Sequence, residues 1–102
     1  MSAVKAVVLY PRPTDKEAFD RRYAEEHVPL CREHLPGMTQ LLVCKVLGSP
    51  AGKPAFYAMV ELHYPSMEAL QADFGARGGA KVAKHAAEIS TGGAPTILLT
   101  TA

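Results

Sequence analysis

The sequence predicts an α+β protein with a ferredoxin-like βαββαβ order: a four-stranded antiparallel sheet with both helical segments on one face. Three observations lead there. Stretches rich in β-branched and aromatic residues alternate with helical ones in the order strand, helix, strand, strand, helix, strand. The two central strands are separated only by Gly48-Ser-Pro-Ala-Gly-Lys-Pro54, a short Gly/Pro connection that implies an antiparallel hairpin. Both faces of the first and third strands also carry apolar residues. Val4, Ala6 and Val8 alternate with Lys5, Val7 and Leu9, and Phe56, Ala58, Val60, Leu62 and Tyr64 alternate with Tyr57, Met59, Glu61 and His63. Helices cover one face, and the other would expose more apolar sheet than soluble monomers usually tolerate, which predicts a homodimer packed sheet against sheet.

Each element has a local cause. Val4–Tyr10 is β-branched and stops at Pro11 and Pro13. Thr14 with Glu17 reads as a capping box that starts the first helix. That helix is expected to end or kink directly after His27, because Pro29 lacks an N–H and pushes Val28 toward extended angles. A further short helical turn fits Leu30 to His34, and Leu35-Pro36-Gly37-Met38 reads as a tight turn. Thr39 to Leu47 and Ala55 to Tyr64 form the hairpin strands. Ser66 caps a second helix with Met67, Leu70 and Phe74 at helical spacing, and Gly78-Gly79 is expected to interrupt it. The piece beyond should turn Val82, Ala86 and Ile89 inward and Lys81, Lys84, His85 and Glu88 mostly outward. After the loop Thr91–Pro95, Thr96 to Thr101 is the last strand.

At 102 residues, with 48% hydrophobic and 21% charged, the chain reads as one globular domain spanning residues 1–102. A net charge of +1 with mixed signs leaves no footprint for nucleic acid or an anionic membrane. No apolar run is long enough to span a bilayer, and the start lacks a signal-peptide pattern. Cys31 and Cys44 are too few for a disulfide framework and read as free thiols of a cytoplasmic protein.

The working group is expected on the first helix. Phe19, Tyr23 and His27 step by four along one face, while Asp20, Arg21, Arg22, Glu25 and Glu26 suit water. His27 is the primary candidate, since imidazole can act as acid, base or hydrogen-bond donor near neutrality. Tyr23, one turn earlier, is the second catalytic candidate, against its ordinary use as a core residue with a polar tip. Tyr10, Phe56 and Tyr64, at strand ends, are candidate substrate-lining residues, and His34 is taken with them. His27, Cys31 and His34 have metal-like spacing, but Pro29 breaks the shared face and a nearby fourth ligand is lacking, so no metal is expected. Glu61 and His63 share a strand face and read as a polar contact across the dimer axis. With no dinucleotide or haem-attachment motif, no cofactor is expected.

Tyr23-x-x-x-His27-x-Pro29-Leu30, the Leu35-Pro36-Gly37 turn and the terminal Gly92-Gly93-Ala-Pro95-Thr96-Ile-Leu stretch together resemble the EthD family, named for a protein linked to ethyl tert-butyl ether degradation. The resemblance spans essentially the whole chain and implies a dimeric α+β barrel. That wider group includes cofactor-independent monooxygenases, lactone isomerases, polyketide cyclases and dehydratases. It implies an oxidoreductase or monooxygenase-type role on a hydrophobic small molecule. The alternatives are a non-catalytic dimer that binds such a molecule or supports an oxygenase, and a lyase or isomerase.

Overall fold

The computed structural model describes residues 2–102. Strands β1 (Val4–Pro11), β2 (Gln40–Lys45), β3 (Phe56–Tyr64) and β4 (Thr96–Thr101) form one antiparallel sheet in the order β2-β3-β1-β4. This is the ferredoxin-like arrangement the element order predicts, with the β2–β3 hairpin as expected. The helical layer consists of α1 (Lys16–Arg22), a π turn (Tyr23–His27), α2 (Val28–His34), α3 (Met67–Gly75) and α4 (Arg77–Ile89). Among the described residues no helix is long and apolar enough to cross a membrane.

The pleat decides which strand residues meet the helices. Val4, Ala6, Val8 and Tyr10 of β1 and Ala58, Val60, Leu62 and Tyr64 of β3 are buried against Phe19, Tyr23, Cys31, Leu35, Leu70, Val82, Ala86 and Ile89. The register sorts the opposite face into rows. Gln40, His63, Lys5 and Thr100 make a polar row; Leu42, Glu61, Val7 and Leu98, then Cys44, Met59, Leu9 and Thr96, make two mostly apolar ones. Glu61 accepts from Lys5 at 3.2 Å and meets His63 Nε2 at 2.9 Å, and both partners hold its carboxyl below the usual range, His63 first. Glu61 and His63 thus lie together on the face that carries the dimer expectation.

Four local expectations are corrected. The N-cap of α1 is Asp15, which accepts from the Ala18 N–H at 3.1 Å, whereas Thr14 hydrogen-bonds to Thr91 across the fold. The helix does not end after His27: His27 and Val28 keep right-handed helical angles, and the chain runs on into α2. The π turn resolves the proline problem. Its i→i+5 bond takes Val28 N–H to the Tyr23 carbonyl, and Pro29 falls in the first turn of α2, where no donor is needed. A purely α-helical stripe stepping by four drifts about 40° per step, so five such residues would walk off the core. The wider turn offsets that drift, and Phe19, Tyr23, His27, Cys31 and Leu35 all stay buried.

Nor do the paired glycines interrupt the second helix. The break is at Ala76, whose extended backbone ends α3 and starts α4, and Gly78 and Gly79 lie in the first turn of α4. They are there because the two helices turn a tight corner: an added Cβ at Gly79 would collide with the Asp73 carbonyl and the Phe74 Cα. Finally, Phe56 leaves the inward set. A bulge pairs Pro11 with Phe56 directly after Tyr10 with Ala58, and Tyr57 instead reaches α1, stacking edge-on against Phe19 and donating to Asp20.

Asp73 anchors the far end of the core. It is buried and accepts from the Tyr64 hydroxyl and the Gly37 N–H, both at 2.9 Å. Asp73→Asn keeps the shape but exchanges a charge-assisted acceptor for a neutral one. Urea denaturation should show a loss of about 1–2 kcal/mol.

Candidate functional site

Two side chains from one face of the π turn define the site. His27 is only 4% exposed and Tyr23 6%, with their ring centroids 5.1 Å apart. Tyr10 of β1 meets Tyr23 edge-on at 5.9 Å. His27 and Tyr10 line an apolar cavity of about 280 Å³ together with Ala6, Val8 and Leu62 of the sheet, Leu70 and Phe74 of α3, and Val82, Ala83 and Ala86 of α4; it is open along β4, where Ile97 and Leu99 are 54% and 52% exposed. Tyr23 lines a different cleft, of about 220 Å³ toward β2, where Lys45 and Asp20 pair at 2.7 Å.

The imidazole of His27 is not alone. Its Nδ1 lies 2.8 Å from Nδ1 of His85, and the rings are near-parallel at 12°. His85 Nε2 lies 3.1 Å from Glu26 Oε1, which also accepts from Arg22 Nε at 3.2 Å. Two lone pairs cannot face each other at 2.8 Å, so one Nδ1 carries a proton. Glu26 accepts from Nε2–H of His85, which leaves His85 Nδ1 as the acceptor when that ring is neutral. His27 then donates from Nδ1 and keeps its Nε2 lone pair, which has no hydrogen-bond partner among the described residues.

Burial, then the neighbouring His85, lowers the His27 pKa to about 4, so the ring is neutral at pH 7. Glu26 is held below the usual carboxylate range by His85 first and Arg22 next. Burial raises both phenols, Tyr10 and Tyr23, and pushes the Cys31 thiol up to about 11. All three are therefore uncharged hydrogen-bond groups. The Tyr23 hydroxyl is buried without a hydrogen-bond partner among the described residues. The site is thus an apolar pocket lined by a neutral imidazole and the Tyr10 phenol, with Tyr23 packed against both rings and His85 and the Glu26–Arg22 pair behind His27.

The model of the EthD domain matches residues 11–91, which contain the π turn, the cavity helices and His85. The chain belongs to the EthD family. An EthD family protein from Bacillus halodurans C-125 superposes with a TM-score of 0.86 at 36% identity, over 95% of each chain. An uncharacterised 11.0 kDa protein in the thcB-thcC intergenic region of Rhodococcus erythropolis is 28% identical, over 94% of this chain and 91% of its own. At 15% identity three further structures share the fold. They are a dimeric ferredoxin-like protein from Jannaschia sp. CCS1 (TM-score 0.70, covering 95% and 96%), hydroxynitrile lyase from Passiflora edulis (0.75, 99% and 94%) and SnoaB, a cofactor-independent oxygenase from Streptomyces nogalater (0.70, 100% and 94%).

In this EthD protein the sequence candidates divide. His27, Tyr23 and Tyr10 come together. Tyr64 is instead tied to Asp73 at the far end of the core, Phe56 is turned away by the bulge, and His34 packs over Gly78, outside the residues that line the cavity. Among the described residues no three His, Cys, Asp or Glu side chains are grouped to hold a metal. His85 was expected on the outer face of α4 and instead reaches His27. Its spacing carried a signal: Val82 and Ile89 are three before and four after it, so it borders the buried stripe.

Proposed function

We propose that this EthD protein is a homodimeric, cofactor-independent oxidoreductase of monooxygenase type acting on a hydrophobic, oxygenated or aromatic small molecule, with His27 as the proton-handling group and Tyr23 and Tyr10 as donors to substrate oxygen. The observation that carries this is the 2.8 Å contact between His27 and His85 beside the apolar cavity, which leaves a free lone pair on a neutral imidazole. A pocket meant only to hold an apolar molecule gains nothing from two imidazoles and a carboxylate in series. Removing a proton from a phenol, or from carbon beside a carbonyl, leaves an electron-rich anion, and such an anion can itself supply the electrons that dioxygen takes up. The outer sheet face, two-thirds apolar by row, and the dimeric Jannaschia structure support sheet-to-sheet pairing.

The test uses 4-nitrophenol, whose phenolate is yellow and whose phenol is not. Wild-type protein should bind it with a phenolate band at a pH where the free compound is still a phenol. His27→Ala should abolish that band while stability stays within ~1–2 kcal/mol. A phenolate band that survives in His27→Ala overturns the reading. Neutral phenol bound equally by both proteins would point to a binding role alone.

A further inference from the structure

A neutral, buried imidazole is a weak base, and an imidazolium would sit poorly in an apolar cavity. The hydrogen bonds behind His27 offer a way around that cost. The path runs from Nε2 of His27, through its Nδ1 to Nδ1 of His85 at 2.8 Å, and from His85 Nε2 to Glu26 Oε1 at 3.1 Å. Exposure rises along it: His27 is buried, the His85 side chain is 15% exposed and that of Glu26 is 49% exposed. The path therefore starts in the cavity and ends in water.

We propose that His85 and Glu26 are positioning residues that form a polarity-reversing proton relay, resting on the proton-handling reading of His27. A proton arriving at His27 Nε2 releases the Nδ1 proton to His85 Nδ1, and His85 carries the positive charge against Glu26. No net charge stays on His27. The Nδ1–Nδ1 hydrogen bond survives with donor and acceptor exchanged. His27 now presents Nε2–H to the cavity and changes from proton acceptor to neutral hydrogen-bond donor, aimed at the anion it has just made. The positive charge then rests on the His85–Glu26 pair at the water-facing end of the path. Returning a proton to the substrate runs the same steps backwards and restores both rings. Arg22 of α1 donates to Glu26 at 3.2 Å; of the other titratable groups nearby, Tyr23 of the π turn, Tyr10 of β1 and, beside the two phenols, Cys31 of α2 are uncharged, and α3 contributes only Leu70 and Phe74 to the cavity.

The experiment needs no substrate. Long-range ¹⁵N–¹H spectra of histidine-labelled protein read the protonated nitrogen of each ring across a pH series. At the alkaline end His27 should carry its proton on Nδ1 and His85 on Nε2. As the pH falls, His85 should become doubly protonated while His27, still neutral, moves to the Nε2–H form over the same pH interval. Glu26→Gln should shift that interval to lower pH, and His85→Phe should remove the His27 switch altogether. His85→Gln serves as the second variant should the phenylalanine perturb folding. A His27 ring that keeps one tautomer throughout, or that changes independently of His85, overturns the relay whatever 4-nitrophenol does. Coupled tautomers alongside a 4-nitrophenol that stays neutral in the wild type would keep the relay and sink the catalytic reading instead.

Discussion

Lowering the pH from 6.5 to about 4 is expected to remove roughly 3 kcal/mol of stability through His27 alone. The sign follows from a base whose folded pKa is depressed. Within that window the unfolded chain binds a proton that the folded chain refuses. The contribution is complete above pH 6.5, falls as the pH drops through the window, and levels off below the folded value near 4. Burial is the larger cause and the nearby His85 the smaller, so the effect belongs to the apolar surroundings more than to the neighbouring ring. The measurement is urea unfolding at a series of pH values for wild type and His27→Gln. Glutamine does not titrate, and its amide can still donate to His85. The two curves should converge as the pH falls. Parallel curves would mean that His27 is not buried as described.

The second large effect concerns the outer sheet face. Leu98, 49% exposed in the single chain, sits on edge strand β4 beside Val7, in the middle row that Glu61 and Leu42 continue across the sheet and beside the Met59–Leu9 row. Leu98→Arg places an unpaired charge where a partner sheet should lie. Such a charge costs ~3–5 kcal/mol when desolvated, a weakening of roughly 100-fold to several-thousand-fold in dimer affinity. Light scattering at micromolar concentration should find a dimer for wild type and a monomer for the variant. Cys44, a free thiol on the same face, gives a second readout. It should react slowly with a thiol reagent in the dimer and quickly in the variant. A wild-type monomer, or a variant that stays dimeric, would remove the sheet-to-sheet interface.

The fold was legible because its determinants are local and repeated. β-Branched runs, proline stops, the Ser66 cap and the Gly48–Pro54 loop each fixed an element, and their order left one compact solution. Half the site was legible for the same reason, since Tyr23 and His27 are one helical step apart. The other half depends on contacts between distant segments. His85 is 58 residues from His27, and its inward turn depends on how closely α4 approaches the π turn, which the Ala76 break and Gly79 set. Phe56 was misplaced by a single bulge, which reverses a side chain without leaving a mark in the alternation. The π turn itself had a signal. Five core residues at a strict step of four, from Phe19 to Leu35, are incompatible with an unmodified α-helix.

That widened turn fixes segment length more tightly than residue identity. Ala24 and Glu25 are exposed and can be exchanged for other helix formers without touching the core. Deleting one of them is a different operation. The turn would close to an ordinary α-helical one, leaving Tyr23 and His27 three residues and about 300° apart, roughly 60° short of the face they now share. The residues from His27 onward would turn with it, out of the alignment that brings the imidazole to His85. Loop insertions elsewhere in the chain, such as at Gly48–Pro54, carry no such penalty. The spacing between the tyrosine and the histidine is therefore a frame, in which a missing residue does more harm than almost any wrong one.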